Sequence, residues 1–208
     1  AQANYAGVVS YPAYGFVKDC QFTGSITLGE NVEHKELNLA GIANFTTKGF
    51  VRCINGDKNN PEAGKLSTKA KVAGLIFVGG IYSATSKSSN GKLNDPEGIN
   101  GCINYAPIHI GGQITSSSHY AYVGGIAGLM HRVSTQVVNC ENHGDIEIAL
   151  QLTNAANTAV QQCAGIRPLN MAHIQTVENC TNYGDITILG ESPLYQSFFN
   201  QAPIRVGG

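Results

Sequence analysis

Two Gly-Asp pairs, Gly144-Asp145 and Gly184-Asp185, stand 40 residues apart in matching surroundings. Carboxylates at equivalent places of neighbouring repeats could share a Ca²⁺ ion, which takes about six to eight oxygen ligands. The plainer role is a bond from each aspartate to the backbone of its own turn. Other repeats carry Ser25 and Pro107 here, so the sequence predicts no metal and no cofactor. His34, His109, His119, His131, His143 and His173 fall into neither HxxxH nor HExxH spacing, the helical arrangement that brings two imidazoles onto one zinc ion. No serine sits in a GxSxG elbow. VGGIAG (123–128) is not a GxGxxG turn opening a helix, which argues against a nucleotide.

Rings offer the one binding chemistry with a pattern. Tyr105, His143 and Tyr183 each fall three residues after a cysteine, with Thr23 and Gly56 at that place in earlier copies. Stacked in register, the three would form a ladder rising about 5 Å per unit. Aromatic faces supply large contact area and could take a sugar ring; the plainer role is to cover a turn.

What must position these rings is a repeat. VVNCENHGDIEI (137–148) returns as VENCTNYGDITI (177–188), with weaker copies at 15–28, 49–60 and 99–110. Cys20, Cys53, Cys102, Cys140 and Cys180 anchor the copies at spacings of 33, 49, 38 and 40. A second motif, AGVV, AGIAN, VGGIYS, VGGIAGLM, CAGIRPLN and RVGG, alternates with the first. Self-similarity at this period marks a solenoid or a related array.

Within each unit the pattern is that of short strands. In GDIEI and GDITI isoleucines alternate with polar residues, the period of a strand buried on one face. Ile26, Ile108, Ile146 and Ile186 form one expected inward column, and Leu28, Ile110, Ile148 and Ile188 a second. The second unit places Asn59 and Pro61 there, so its coil should be distorted or looped out. Gly24, Gly144 and Gly184 fall where a tight turn would use positive φ. Asn55, Asn104, Asn142 and Asn182 suit either a local turn or an asparagine ladder between units. The stretch 149–165 has helix formers with Thr and Asn interruptions, and reads as strand and loop.

The expectation is therefore an all-β parallel β-helix of about five imperfect repeats of 33–49 residues, spanning 1–208 as one domain. A β-propeller or sandwich is the alternative. Residues 83–98, rich in Ser, Asn, Gly and Pro, read as an inserted loop. Cys20, Cys102, Cys140 and Cys180 share one phase, which predicts a buried column of free thiols rather than a disulfide framework. Cys163 lies off that phase, where other units carry Ala or Val.

Charge narrows the partners. The formal net charge is −1 and 13% of residues are charged, which lacks the basic footprint of a nucleic-acid binder. No apolar run reaches the roughly 18 residues of a membrane span. No signal peptide is visible in AQANYAGVVS, and APIRVGG looks like the start of another unit. The sequence thus reads as a segment of a longer polypeptide with further repeats or domains.

The pairing of VGGIAG (123–128) with VVNCENHGDI (137–146), repeated as CAGI and VENCTNYGDI (163–186), resembles the GLUG-type repeats of secreted bacterial surface proteins, among them adhesin-like proteins of gut Bacteroidetes. The resemblance covers most of the chain and is closest in its last three units. It implies an extracellular or cell-surface setting. The expected function is a non-catalytic adhesin-like or spacer module that meets a host glycan or extracellular protein. The alternative is a carbohydrate-active β-helix, a lyase or glycoside hydrolase, whose catalysis would need clustered carboxylates on one face.

Overall fold

The computed structural model describes residues 2–10, 15–44, 49–83, 98–115, 120–128, 136–152, 160–168, 176–189 and 204–207. Among them there are strands and turns and no helix. The inserted stretch lies almost wholly outside the described residues.

The strands recur in one order. The first unit has β1 (Gln2–Ala6), β2 (Phe16–Lys18), β3 (Gln21–Phe22) and β4 (Ile26–Leu28). The second has β5 (Glu33–Ala40), β6 (Gly49–Val51), β7 (Ile54–Asn55) and β8 (Leu66–Thr68). Next come β9 (Lys71–Gly79), β10 (Gly98–Asn100), β11 (Ile103–Asn104) and β12 (Ile108–Ile114). They are followed by β13 (Tyr120–Gly124), β14 (Gln136–Val138), β15 (Glu141–Asn142) and β16 (Ile146–Leu152). The last are β17 (Val160–Ala164), β18 (Thr176–Glu178), β19 (Thr181–Asn182), β20 (Ile186–Ile188) and β21 (Ile204–Gly207). The doubtful stretch 149–165 thus begins and ends as strand.

Like strands of successive units pair side by side. One five-stranded sheet runs β18-β14-β10-β6-β2 and another β19-β15-β11-β7-β3. The remaining strands join an 11-stranded sheet. Every pair of named strands is parallel, as Ile146 opposite Ile186 and Ile108 opposite Ile146 illustrate. Stacked parallel sheets of this kind are in keeping with a solenoid. Side chains in register one unit apart then fall into columns about 4.8 Å apart.

The second unit keeps its columns by a detour. Leu66 and Thr68, not Asn59 and Pro61, lie in register with Ile26 and Leu28 on one side and with Ile108 and Ile110 on the other. The intervening residues loop out, closed by the Asp57–Asn60 bridge and by Asn59 N–H donating to Asp57 Oδ1. A loop insertion costs little entropy, whereas a register slip would empty a buried column.

The turn expectation needs a different correction. Gly24, Gly144 and Gly184 are absent from the positive-φ positions, which do include Asp19 (53°), Arg52 (50°), Gly101 (63°), Asn139 (55°) and Asn179 (52°), each just before a repeat cysteine. One left-handed residue turns the chain between two sheets and aims the thiol inward. Asn, Asp and Gly tolerate that region best. Gly144 and Gly184 serve close approach instead: a Cβ there would strike the Ala106 and Gly144 carbonyls.

Two clusters fill the interior. Ile108, Ile110, Ile146, Ile148, Leu66 and their neighbours lie under the large sheet, with Ile26 and Ile186 packed half-buried at its ends. Cys53, Cys102 and Cys140 lie in the other cluster with Phe50, Ile99 and Val137, fully covered, while Cys20 and Cys180 in the end units are half-buried. All six cysteines are free. Each column thiol donates to the carbonyl two residues earlier, from Cys20 to Lys18 at 3.2 Å through Cys180 to Glu178 at 3.3 Å.

Candidate functional site

Asparagines fix the spacing at the corner that carries the rings. Nδ2 of Asn55 donates to Oδ1 of Asn104 at 2.8 Å, Asn104 to Asn142 at 2.7 Å, and Asn142 to Asn182 at 2.7 Å. The second N–H of each amide goes to a carbonyl of its own unit: Gly64, Ala106, Gly144 and Gly184 respectively. Both turn bonding and the inter-unit ladder are therefore present at once. Asn55 Oδ1, at the start of the ladder, has no partner, because Phe22 occupies its register place in the preceding unit. Buried amides satisfied in this way resist slippage, since any shift would orphan several of them.

The ladder sets the rings one residue further on. Tyr105 and His143 lie 4.9 Å apart between centroids at 30°, and His143 and Tyr183 4.5 Å apart at 19°. The fold thus brings together all three ring residues expected from the sequence. His143 Nε2 lies 2.8 Å from Glu141 Oε2, which orients the imidazole. Both faces of His143 are taken by its neighbours. The surface left for a ligand is the row of ring edges and the outer side of Tyr183, which is 62% exposed.

The paired aspartates do something else. Asp145 Oδ1 accepts the backbone N–H of Asp185 at 2.9 Å, so the carboxylate ties one unit to the next rather than bonding within its own turn. Among the described residues no three His, Cys, Asp or Glu side chains are grouped to hold a metal. His119, His131 and His173 lie outside the described residues. No described helix is long and apolar enough to cross a membrane.

A second surface was not found from the sequence. Glu33, Lys71, Gln113 and Gln151 stand in one register column on the large sheet. Their spacings of 38, 42 and 38 match the repeat and could have exposed the column. It was missed because polar residues differing in charge do not read as one motif. Comparison with family models, with curated proteins and with solved structures finds no match for this chain.

Proposed function

We propose that this chain is a parallel β-helical, non-catalytic module of an extracellular bacterial surface protein, an adhesin-like or spacer segment that presents loops and faces to a host glycan or an extracellular protein. The observation that carries the reading is the unbroken asparagine ladder from Asn55 to Asn182. Its amides, each of the first three donating to the next and all four to a carbonyl of their own unit, make a stiff, repetitive body whose outer columns are free to vary. Such a body suits display better than chemistry. The carbohydrate-active alternative needs two free carboxylates about a groove, whereas Asp145 is engaged with Asp185 and Glu30 and Glu33 each face a lysine.

The test is a screen of immobilised glycans and matrix proteins with the wild type beside the triple change Tyr105→Ala, His143→Ala, Tyr183→Ala, its fold checked by circular dichroism. Binding that the triple change removes supports adhesion through the ladder. Binding that survives it moves adhesion to another face. No binding by the wild type leaves the spacer role. Turnover of any glycan contradicts the reading.

A further inference from the structure

The outer face of the large sheet carries a polar groove, and its shape follows from two glycines. In β12, Gly112 adopts φ +102°, and a Cβ there would strike the Ala70 carbonyl and the Lys69 backbone. There the strand passes from β8 to β9 as its partner. Gly111 beside it has no side chain, and Ala149, its register partner, has a small one. The floor is therefore low. Two adjoining hollows of about 420 Å³ and 270 Å³ result, with Lys71 in the lining of both. The larger falls within the range of small-molecule sites, roughly 300–1,000 Å³.

One wall is the register column Glu33, Lys71, Gln113 and Gln151. Lys71 Nζ stands 3.7 Å from Glu33 Oε1, and Lys69 Nζ 3.8 Å from Glu30 Oε1. These two pairs are neutral, and Lys35 in the smaller hollow adds one further cation, so the groove has donors and acceptors with only a slight positive balance. The side-chain amides of Gln113 and Gln151 make no hydrogen bond with other described residues. They remain available as paired donors and acceptors.

We propose that this groove binds an uncharged, extended, β-linked oligosaccharide laid along the stacking axis. Hydroxyl groups donate and accept, and so match amides and balanced ion pairs. A polyanion would meet Glu30 and Glu33 beside Lys69 and Lys71 and find only Lys35 without a carboxylate partner among the described residues, and an apolar chain would strip water from amides it cannot satisfy. The rise of about 4.8 Å per unit is close to the advance of one pyranose along an extended chain. Successive sugars would thus meet successive members of the column. The proposal deepens the glycan-binding reading and rests on it, but sets the ligand on the large sheet, away from the Tyr105–His143–Tyr183 corner.

The experiment is isothermal titration with cellohexaose, xylohexaose and chitohexaose, beside a hexamer of galacturonic acid as the anionic control. The proteins are the wild type, Gln113→Ala, Gln151→Ala, the groove-filling Ala149→Tyr, and Tyr183→Ala, each with its unfolding midpoint measured. At least one neutral hexamer should bind the wild type. Each lost amide should weaken it about 3- to 10-fold, Ala149→Tyr should abolish it, and Tyr183→Ala should leave it unchanged. Equal or tighter binding of the anionic hexamer overturns the proposal. So does loss of binding in Tyr183→Ala with the groove variants unaffected, an outcome that keeps adhesion but moves it to the rings. No neutral hexamer binding overturns it too, and leaves the spacer role standing. Reducing ends released by the wild type and not by Ala149→Tyr would support the groove as the site and overturn the non-catalytic reading.

Discussion

Asn104 and Asn142, 38 residues apart in sequence, are joined by a 2.7 Å hydrogen bond between buried side-chain amides. Asn104 also accepts from Asn55 at 2.8 Å and donates to the Ala106 carbonyl at 2.9 Å. Replacing it with alanine leaves the Asn55 donor and the Asn142 acceptor unpaired. At about 1–3 kcal/mol for each orphaned group, Asn104→Ala should cost about 3 kcal/mol or more. Asn182→Ala at the half-buried end should cost less. Urea unfolding of the two variants checks the order, and equal losses would contradict it.

Gly125 is one of four glycines on which the ladder leans, with Gly41, Gly80 and Gly165 against Asn55, Asn104 and Asn182. A Cβ there would collide with the Gly165 carbonyl and with the Asn142 amide. Gly125→Ala should therefore lower stability by several kcal/mol, on the scale of the larger single-residue losses of about 4 kcal/mol. At Gly29 nothing lies within 4 Å of such a carbon, and Gly29→Ala should be close to neutral. Thermal midpoints of both variants decide the matter.

Thiol reactivity should report position in the stack. Cys53, Cys102, Cys140 and Cys163 are buried, while Cys20 and Cys180 are half-buried. Under native conditions Cys20 and Cys180 should label first and the other four only on unfolding. Peptide mapping after a timed alkylation identifies them. Early labelling of Cys102 or Cys140 would contradict the inward column.

Alkaline pH should destabilise the fold through Cys163. Burial pushes this thiol from an ordinary 9.0 up to about 12. Below pH 9 both folded and unfolded states keep the proton, so the full stability is present. Above it the unfolded state ionises while the folded state does not, and stability is lost until about pH 12. The loss is at most about 4 kcal/mol. Cys163→Val, which copies its register partner Val123, should make that decline shallower but not flat, because Cys102, held up by its bonds to Cys140 and Cys53, is raised as well. Burial raises Tyr82 as well, so a decline at higher pH should remain in both proteins.

The repeat was legible because columns of identical residues are selected together. Cysteine, asparagine and isoleucine return at one phase, and each return names a column. The ring positions followed from the same phase, three residues after the cysteine. The loop at 57–65 was legible as one of two readings, because Asn59 and Pro61 break the isoleucine columns, but counting from Cys53 assumes constant unit length, and only the register of Leu66 against Ile26 and Ile108 shows where the column resumes. The left-handed corner was visible in principle as the Asn before Cys140 and Cys180. It was obscured where Arg52 holds that conformation, with its guanidinium bonded at 2.6 and 2.8 Å to Asp19 in the same column. The groove escaped because it depends on the positive φ at Gly112 and on residues whose shared phase is not matched by shared chemistry.

The central claim is that successive units stack in parallel with this register, and a proximity test addresses it directly. Ser67, His109 and Glu147 occupy one outward column in that order. Cysteine pairs at 67/109, 109/147 and 67/147 can be treated with a short bifunctional thiol reagent and mapped by mass spectrometry. Neighbouring units lie about 4.8 Å apart, and units two apart lie about twice that. The β-helix predicts efficient linkage for the 67/109 and 109/147 pairs and little for 67/147. Failure of both neighbouring pairs, or preferential linkage of 67/147, would contradict it.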